Sequence, residues 1–291
     1  MFMNFHTPVL VDEVIDYLNI QKGCWYIDAT LGGGGHTCLI LEKGGKVLGI
    51  DQDPQAILEV AKKFNQAIAE KRLILNQGNF ANIKKIVNDE TISGVLFDLG
   101  VSSYQLSSLR GFSFSKDAPL DMRMDPKIGV QAADLINGLY EGELADLFGR
   151  LGEEKFAKKV AGKIVEERKL RKIETTKQLA DLIISVKHRR VHDKIHPATQ
   201  VFQALRIAVN DELNNLKIAL PQALNVLGKE GRLLVISFHS LEDRIVKNFF
   251  RVMEDKGMVK ILTKKPITPS ENEILSNPRS RSAKLRAVEK I

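Results

Sequence analysis

Cysteine is nearly absent from this chain, and so is any long apolar run. Each shortage removes a class of protein. Cys24 and Cys38 are the only cysteines in 291 residues and form no Cys-x-x-Cys pair, which leaves no disulfide framework, no cysteine zinc cluster and no dithiol redox centre. A cytoplasmic protein with reduced thiols is expected. No apolar run reaches the ~20 residues that a helical membrane span needs. Residues 1–12 include His6, Pro8 and Asp12 and show no basic stretch followed by an apolar block, so no secretory signal is expected. Internal repeats and low-complexity tracts are missing too. What remains is ordinary globular material, 44% hydrophobic and 27% charged, enough for one large or two modest domains.

The chemistry concentrates near the start. Residues 25–27 are apolar, Asp28 follows, then Gly32-Gly33-Gly34-Gly35-His36, a helix-like stretch over 37–43, and a second apolar run over 47–50 that ends on Asp51. Strand, glycine loop, helix, strand and acid make the skeleton of a nucleotide-binding βαβ unit. The acid before the glycines decides which nucleotide. Asp28 would repel the pyrophosphate of a dinucleotide, which disfavours a nicotinamide dehydrogenase. S-adenosylmethionine has no phosphate and carries a sulfonium and an ammonium that a carboxylate attracts. Asp51 is then placed to accept hydrogen bonds from ribose hydroxyls. A glycine loop alone is weak evidence, since a tight βα turn needs the same residues; the two acids turn it into a cofactor motif.

Alternation of strand and helix continues through a helix at 54–70 capped by Asp53, a strand at 73–75, a short helix at 81–87 and a strand at 95–97 that ends on Asp98. The pattern predicts an α/β, Rossmann-like fold with a parallel sheet covered on both faces. It puts Asp28, Asp51 and Asp98 at the carboxyl ends of strands, where such sheets bind ligands. Residues 99–125 have no clear period and read as a long ordered loop, whereas 132–227 are almost wholly helix-like. Strands resume at 232–238, 259–263 and 283–289. The expected organisation is a sheet domain from residues 1–110 and 216–291, interrupted by an all-helical insert at 111–215 that recognises RNA or another substrate.

Charge supports that partner. Lys and Arg number 43 against 36 Asp and Glu, a formal excess of +7, clustered at 155–172, 187–194 and 279–286. One basic block is ordinarily a solvated face; several beside an adenosyl-binding core point to nucleic acid.

Later motifs each carry a plain and a functional reading. Asp98-Leu99-Gly100-Val101-Ser102-Ser103 occupies the reaction-site position of methyltransferases but lacks the (Asp/Asn/Ser)-Pro-Pro-aromatic turn common in amine methylation. The plain alternative for Asp98 is an acid capping the next turn. Residues 110–124 mix Arg110, Phe112, Phe114, Met122 and Arg123, which suits a substrate lid or a structured crossover. The helix opening at His196-Pro197 holds His196, Thr199, Gln203, Arg206 and Asn210 off its apolar stripe, groups that read phosphates and base edges or form an ordinary wet face. His188, His192 and His196 fall four apart without a partner carboxylate motif, so no metal site is expected. In 237–247, Ser240 and Asp243 read as a capping box, with His239 near the ligand rim as a substrate-side residue.

Together, His6-Thr7-Pro8-Val9-Leu10, the glycine segment, residues 98–105, 110–124, 196–210 and 237–247, and Asn277-Pro278-Arg279-Ser280-Arg281-Ser282 resemble, in order and over nearly the whole chain, the bacterial 16S rRNA (cytosine-N4)-methyltransferase family. The resemblance implies a class I methyltransferase domain with a helical insert and S-adenosylmethionine as cofactor. It implies methyl transfer to the N4 amine of a cytidine in the decoding region of 16S rRNA, within an assembled 30S subunit, in the cytoplasm. Cofactor contacts are implied at Gly34, Gly35, His36, Asp51, Phe80, Asp98 and Gln105, beside Asp28 and Gly32 of the motif itself. Three places depart from the family pattern: Tyr104 replaces Pro, Ala118 replaces Gly, and Gln200-Val201 replaces Arg-Thr, removing a phosphate contact. Asp98 is the first expected acceptor for the amine protons, and the Ser102-Ser103 turn is the second. Carbon-5 methylation would need a nucleophilic cysteine that neither Cys24 nor Cys38 supplies. Two other readings stay open: methylation of another RNA or protein target, and a non-catalytic ribosome-assembly factor. A twofold dimer is the default among homo-oligomers.

Overall fold

The structure, a computed structural model, describes residues 8–87, 90–187 and 196–291. His6, Thr7, His188, His192 and most of the 187–194 basic block lie outside the described residues. The chain divides into two compact units, Met1–Ser102 with Leu213–Ile291, and Ser103–Glu212. Sequence spacing puts the insert at 111–215, whereas the second compact unit runs from Ser103 to Glu212, and within it the Met122 N–H donates to the Arg110 carbonyl at 2.8 Å.

In the first unit, seven strands form one sheet in the order β3-β2-β1-β4-β5-β7-β6. These are β1 (Trp25–Asp28), β2 (Lys46–Asp51), β3 (Leu73–Gln77), β4 (Ile92–Asp98), β5 (Leu227–Ser237), β6 (Val259–Ile261) and β7 (Lys284–Lys290). Strands β1 to β5 run parallel, and β7 lies antiparallel to both β5 and β6. The chain steps outward from β1 to β3, then returns to place β4 on the other side of β1. That reversal opens the crevice in which open α/β sheets hold ligands.

Side chains alternate across the sheet, so β4 sends Val95 and Phe97 to one apolar core and Leu96 to the other. The Phe97 side is covered by α12 (Glu212–Val226) and α13 (Ser240–Asp255) through Leu216, Leu220, Val246 and Phe250. The Leu96 side is covered by α1 (Val11–Leu18), α2 (Gly35–Glu42) and α3 (Pro54–Lys63) through Val14, Leu18, Ile40 and Val60. Asp53 caps α3 by accepting the Gln55 N–H at 3.0 Å, with Pro54 in the first position. The single helix expected over 54–70 is two, because Phe64 leaves helical geometry (φ −116°, ψ 32°) before α4 (Asn65–Ala69). Freed from the helix, its ring closes against the glycine loop. A short turn and α5 (Ile83–Ile86) follow β3.

The second unit holds α6 (Ser103–Ser107), α7 (Ala132–Gly138), α8 (Glu141–Gly152), α9 (Ala157–Arg168), α10 (Thr176–Lys187) and α11 (Thr199–Asn210). Helix α11 begins at Thr199, after His196 and Pro197, and is the centre of the unit. Val201, Phe202, Ala204, Leu205, Ile207, Val209 and Asn210 are all buried, so the wet face expected of it is largely missing. Helix α8 approaches so closely that a Cβ on Gly152 would stand 2.4 Å from the Gln200 carbonyl oxygen.

The non-periodic stretch before α7 is ordered by side chains that bond to backbone. Asn210, 3% exposed, accepts the Met124 N–H and donates to the Met122 and Arg206 carbonyls, each at 2.8 Å. Replacing Asn210 with Ala removes the hydrogen bonds it makes to the Met122 carbonyl and the Met124 N–H, each an expensive loss in a buried setting. The Asn210→Ala variant is expected to lose about 2–3 kcal/mol of stability, read as a lower urea midpoint, with faster proteolysis of the 108–131 stretch.

Candidate active site

The carboxyl ends of β2, β1 and β4 are adjacent, and each ends on aspartate: Asp51, Asp28 and Asp98. Asp28 is 1% exposed. One oxygen accepts the Thr37 hydroxyl at 2.7 Å and the other accepts the Thr30 N–H at 3.3 Å. It therefore latches the glycine loop to the first turn of α2. Burial raises the Asp28 carboxyl above its ordinary range, against the opposing pull of His36 and Thr37.

Asp51 holds the loop from the other side. Its Oδ2 accepts the Gly32 N–H and its Oδ1 the Asp53 N–H, both at 2.8 Å. Each oxygen keeps a second lone pair for a ligand hydroxyl. Burial pushes the Asp51 carboxyl up to about 6 in spite of those two backbone bonds. Between them the loop needs glycine for space and for backbone angle. Gly34 sits at φ 72° as the N-cap of α2, and a Cβ there would lie 2.9 Å from the Phe64 ring.

His36 lies in the first turn of α2, 5% exposed, with Nε2 3.4 Å from Asp98 Oδ2. That is ion-pair range without hydrogen-bond alignment. Burial alone would lower the imidazole, but contact with Asp98, its charge and that of Asp28 outweigh burial and raise it. The Asp98 N–H donates to Thr30 Oγ1 at 2.6 Å, which ties β4 to the loop. Both ring nitrogens of His36, and Asp98 Oδ1, are buried without a hydrogen-bond partner among the described residues. Buried polar atoms are rarely left so. Here three converge at the mouth of a glycine loop, a cradle suited to a polar, partly cationic ligand.

Phe80 follows β3 in a turn capped by Asn79, and its ring meets Phe97 edge-on at 5.5 Å. It offers an apolar wall one strand beyond Asp51, suited to an adenine. Ser102 lies beside the loop as well, its Cβ 3.5 Å from where a Cβ on Gly32 would stand. The side chain of Ser103 lies outside the described residues. Gln105 is buried in the helical unit.

His239 follows β5 and is itself the N-cap of α13. Its Nδ1 accepts the Glu242 N–H at 3.4 Å, and the Glu242 carboxylate reaches back to the Phe238 and His239 N–H groups. The capping box expected at Ser240 and Asp243 is thus one residue early. Glutamate spans back to the chain where Asp243, with a shorter side chain, instead pairs with Arg286 at 2.6 Å. Histidine is an unusual cap, so sequence carried little signal of it. Thr30 and Thr37 were also missed as loop-holding residues, although both flank the Asp28 motif at hydrogen-bonding reach.

Within the helical unit, the residues expected to meet substrate are engaged with their own surroundings. Arg123 forks onto Asp121 at 2.7 and 2.8 Å and donates to the Ile128 carbonyl at 2.9 Å. Arg110 lies over the Phe112 ring, 5.5 Å from its centre. Arg206 forks onto Glu212 at 2.8 and 2.9 Å. His196 stacks on Phe114 at 4.3 Å, and Thr199 opens α11. No cluster of three His, Cys, Asp or Glu able to hold a metal occurs among the described residues.

With this geometry in hand, comparison with known proteins is specific. Residues 3–291 match the sequence profile of the MraW methylase family. A ribosomal RNA small subunit methyltransferase H of Sulfurihydrogenibium azorense is 48% identical over 292 residues, covering 98% of this chain and 99% of that protein. Proteins with the same name from Carboxydothermus hydrogenoformans and Brevibacillus brevis are each 46% identical and cover 98% of both chains.

With Asp51 as the expected ribose acceptor, its raised carboxyl predicts pH-dependent adenosyl binding. Only the ionised form accepts two ribose hydroxyls, so S-adenosylhomocysteine affinity should be flat above pH 7. It should fall up to about tenfold per pH unit below about 6. Calorimetric titration from pH 5 to 8 checks this, and Asp51→Asn should bind weakly with the dependence abolished. The same shift means that Asp51 contributes stability at low pH that is lost as pH rises from its ordinary 3.8 through about 6.

Proposed function

Since the chain belongs to the MraW methylase family and uses S-adenosylmethionine, we propose that it is an rRNA methyltransferase whose target is the N4 amine of a cytidine in the decoding region of 16S rRNA. The observation that carries this reading is Asp98. Its Oδ1 is buried without a hydrogen-bond partner among the described residues, at the end of a central strand, beside the glycine loop. Relatives named as small-subunit rRNA methyltransferases support the substrate class, and the cytosine amine is the reading that Asp98 and the expected family favour.

When bound, S-adenosylmethionine supplies an electrophilic methyl group on a sulfonium. The residues of the chain do the rest. The glycine loop, Asp51 and Phe80 would hold the adenosine half, and His36 with Asp98 would line the region of the polar half. Cytosine N4 is a poor nucleophile because its lone pair is delocalised into the ring, so it must be aligned in line with the methyl carbon. Asp98 Oδ1 accepts an amine N–H, keeping electron density on nitrogen as the bond forms. The amine becomes acidic only at that stage, when Asp98 takes one of its protons. Ser102, beside Gly32, is placed to accept a second N–H.

Attack through carbon-5 would need a thiolate at the ring. Cys24 precedes β1 at the opposite end of the sheet from the three aspartates. Cys38 lies in α2 against Glu42 at 3.4 Å, and burial together with that carboxylate raises its thiol further from reactivity. The proposed substrate is 16S rRNA within the 30S subunit, and the proposed place of action is the cytoplasm.

Incubation of unmodified 30S subunits and free 16S rRNA with enzyme and methyl-labelled cofactor, followed by nucleoside mass spectrometry, tests the reading. Labelled N4-methylcytidine is expected, with 30S the better substrate. Label on another nucleoside, or none, overturns it. Asp98→Asn should lower kcat by roughly 100-fold or more while S-adenosylhomocysteine affinity shifts only a few-fold; intact turnover in that variant removes Asp98 from the chemistry.

A further inference from the structure

A second feature, within the helical unit and outside the adenosyl site, has the marks of a binding surface. Helix α8 ends at Gly152, pressed against the Gln200 backbone, and Glu153 takes a left-handed turn at φ 50°. Glu154 then folds inward with its side chain 1% exposed. One of its oxygens accepts the Phe156 N–H at 2.8 Å, and the other accepts the Lys187 ammonium at 2.6 Å. Lys187 also donates to the Pro197 carbonyl at 2.7 Å. A buried ion pair thus fixes the backbone of Phe156, yet the ring of Phe156 is left 44% exposed. A turn built this firmly around an apolar ring would ordinarily bury it.

The ring borders an open groove of about 880 Å³ between α8 and α9. Gly142, Ala145 and Gly149 on α8 leave the room for it. Lys155, Lys158 and Lys159 surround Phe156, all exposed, and none pairs with a carboxylate among the described residues. Lys159 Nζ stands 6.0 Å from the ring centre. These lysines do not serve the helix, because positive charge at a helix N-terminus opposes its dipole and α9 has no acid in its first turn. The groove is not purely basic. Glu141 lines it, and Asp146 is paired with Arg150 at 3.1 Å.

We propose that this groove docks a single-stranded segment of rRNA, with one base stacked on Phe156 and the flanking phosphates on Lys155, Lys158 and Lys159. An exposed, fixed aromatic ringed by unpaired cations is the arrangement that binds unpaired nucleotides with little regard to sequence, since every base offers a π-face. The inference rests on the rRNA reading above and adds to it a contact in the insert, away from the reacting amine.

The test is equilibrium binding of the full-length enzyme to 30S subunits and to naked 16S rRNA, at several salt concentrations and without turnover. Phe156→Ala should weaken both about tenfold, and Phe156→Trp should restore them. Replacing Lys155, Lys158 and Lys159 together with Ala should flatten the log affinity–log salt slope by about 2. S-adenosylhomocysteine affinity, unchanged in each variant, is the check on folding. Unaltered RNA affinity of Phe156→Ala overturns the proposal. So does a loss seen with 30S alone, which would assign the groove to a ribosomal protein, and so does a wild-type enzyme that binds no naked RNA. The two readings fail separately: an enzyme that makes no N4-methylcytidine yet binds RNA through Phe156 sinks the activity and keeps the groove.

Discussion

Carboxylates end three adjacent parallel strands of the first unit, and their like charge has to be offset before a loop can close over them. Two devices do this. Backbone N–H groups of the glycine segment and its neighbours donate to Asp28 and Asp51, and the His36 imidazole stands 3.4 Å from Asp98, a contact that favours its protonated form. At an effective dielectric of ~20 a pair near that spacing interacts by about 4 kcal/mol. A contact of that size offsets burial and raises the His36 imidazole above its ordinary range. Burial, with a smaller contribution from the neighbouring carboxylates, still keeps Asp28 and Asp51 above their ordinary range. A ligand that carries cationic groups and ribose hydroxyls completes the offset, so the electrostatics of the rim and the identity of the cofactor are one fact seen from two sides.

The helical unit solves a different problem with similar means. Its long non-periodic stretch has few strand or helix bonds to satisfy its backbone, so buried side chains take their place. Asn210 does this from the last turn of α11, and Arg123 does it from within the stretch. Residues that look like ligand readers in a linear pattern also serve the architecture here. The exposed chemistry of the unit lies elsewhere, at Phe156 and the lysines around it, where a buried Glu154–Lys187 pair presents a ring to solvent.

Much of the first unit was legible because its signals are local. Apolar runs ending in aspartate, glycines in succession, and Asp53 before Pro54 each state their own structure within a few residues. The break at Phe64 was not, because helical pattern persists through it and only the packing of its ring against Gly34 ends the helix. The cap at His239 escaped because Ser240 is the better cap by type; the reach of Glu242 decided it. The wet face assigned to α11 disappeared because α8, α7 and the loop at Met122 and Met124 pack against it, a matter of neighbours rather than of its own period.

Sequence by itself determined the strand–helix alternation, the glycine loop between Asp28 and Asp51, and the adenosyl chemistry these imply, since each depends on residues close in the chain. Only the tertiary structure decided which polar atoms were satisfied and which left over. Asp98 Oδ1 and His36 are separated by 62 positions, Glu154 and Lys187 by 33, and Asn210 and Met122 by 88. Whether a carboxylate caps a turn, braces a ring or waits for a substrate depends on what the fold sets beside it, and burial, which sets the cost of leaving it unpaired, is a property of the folded chain alone.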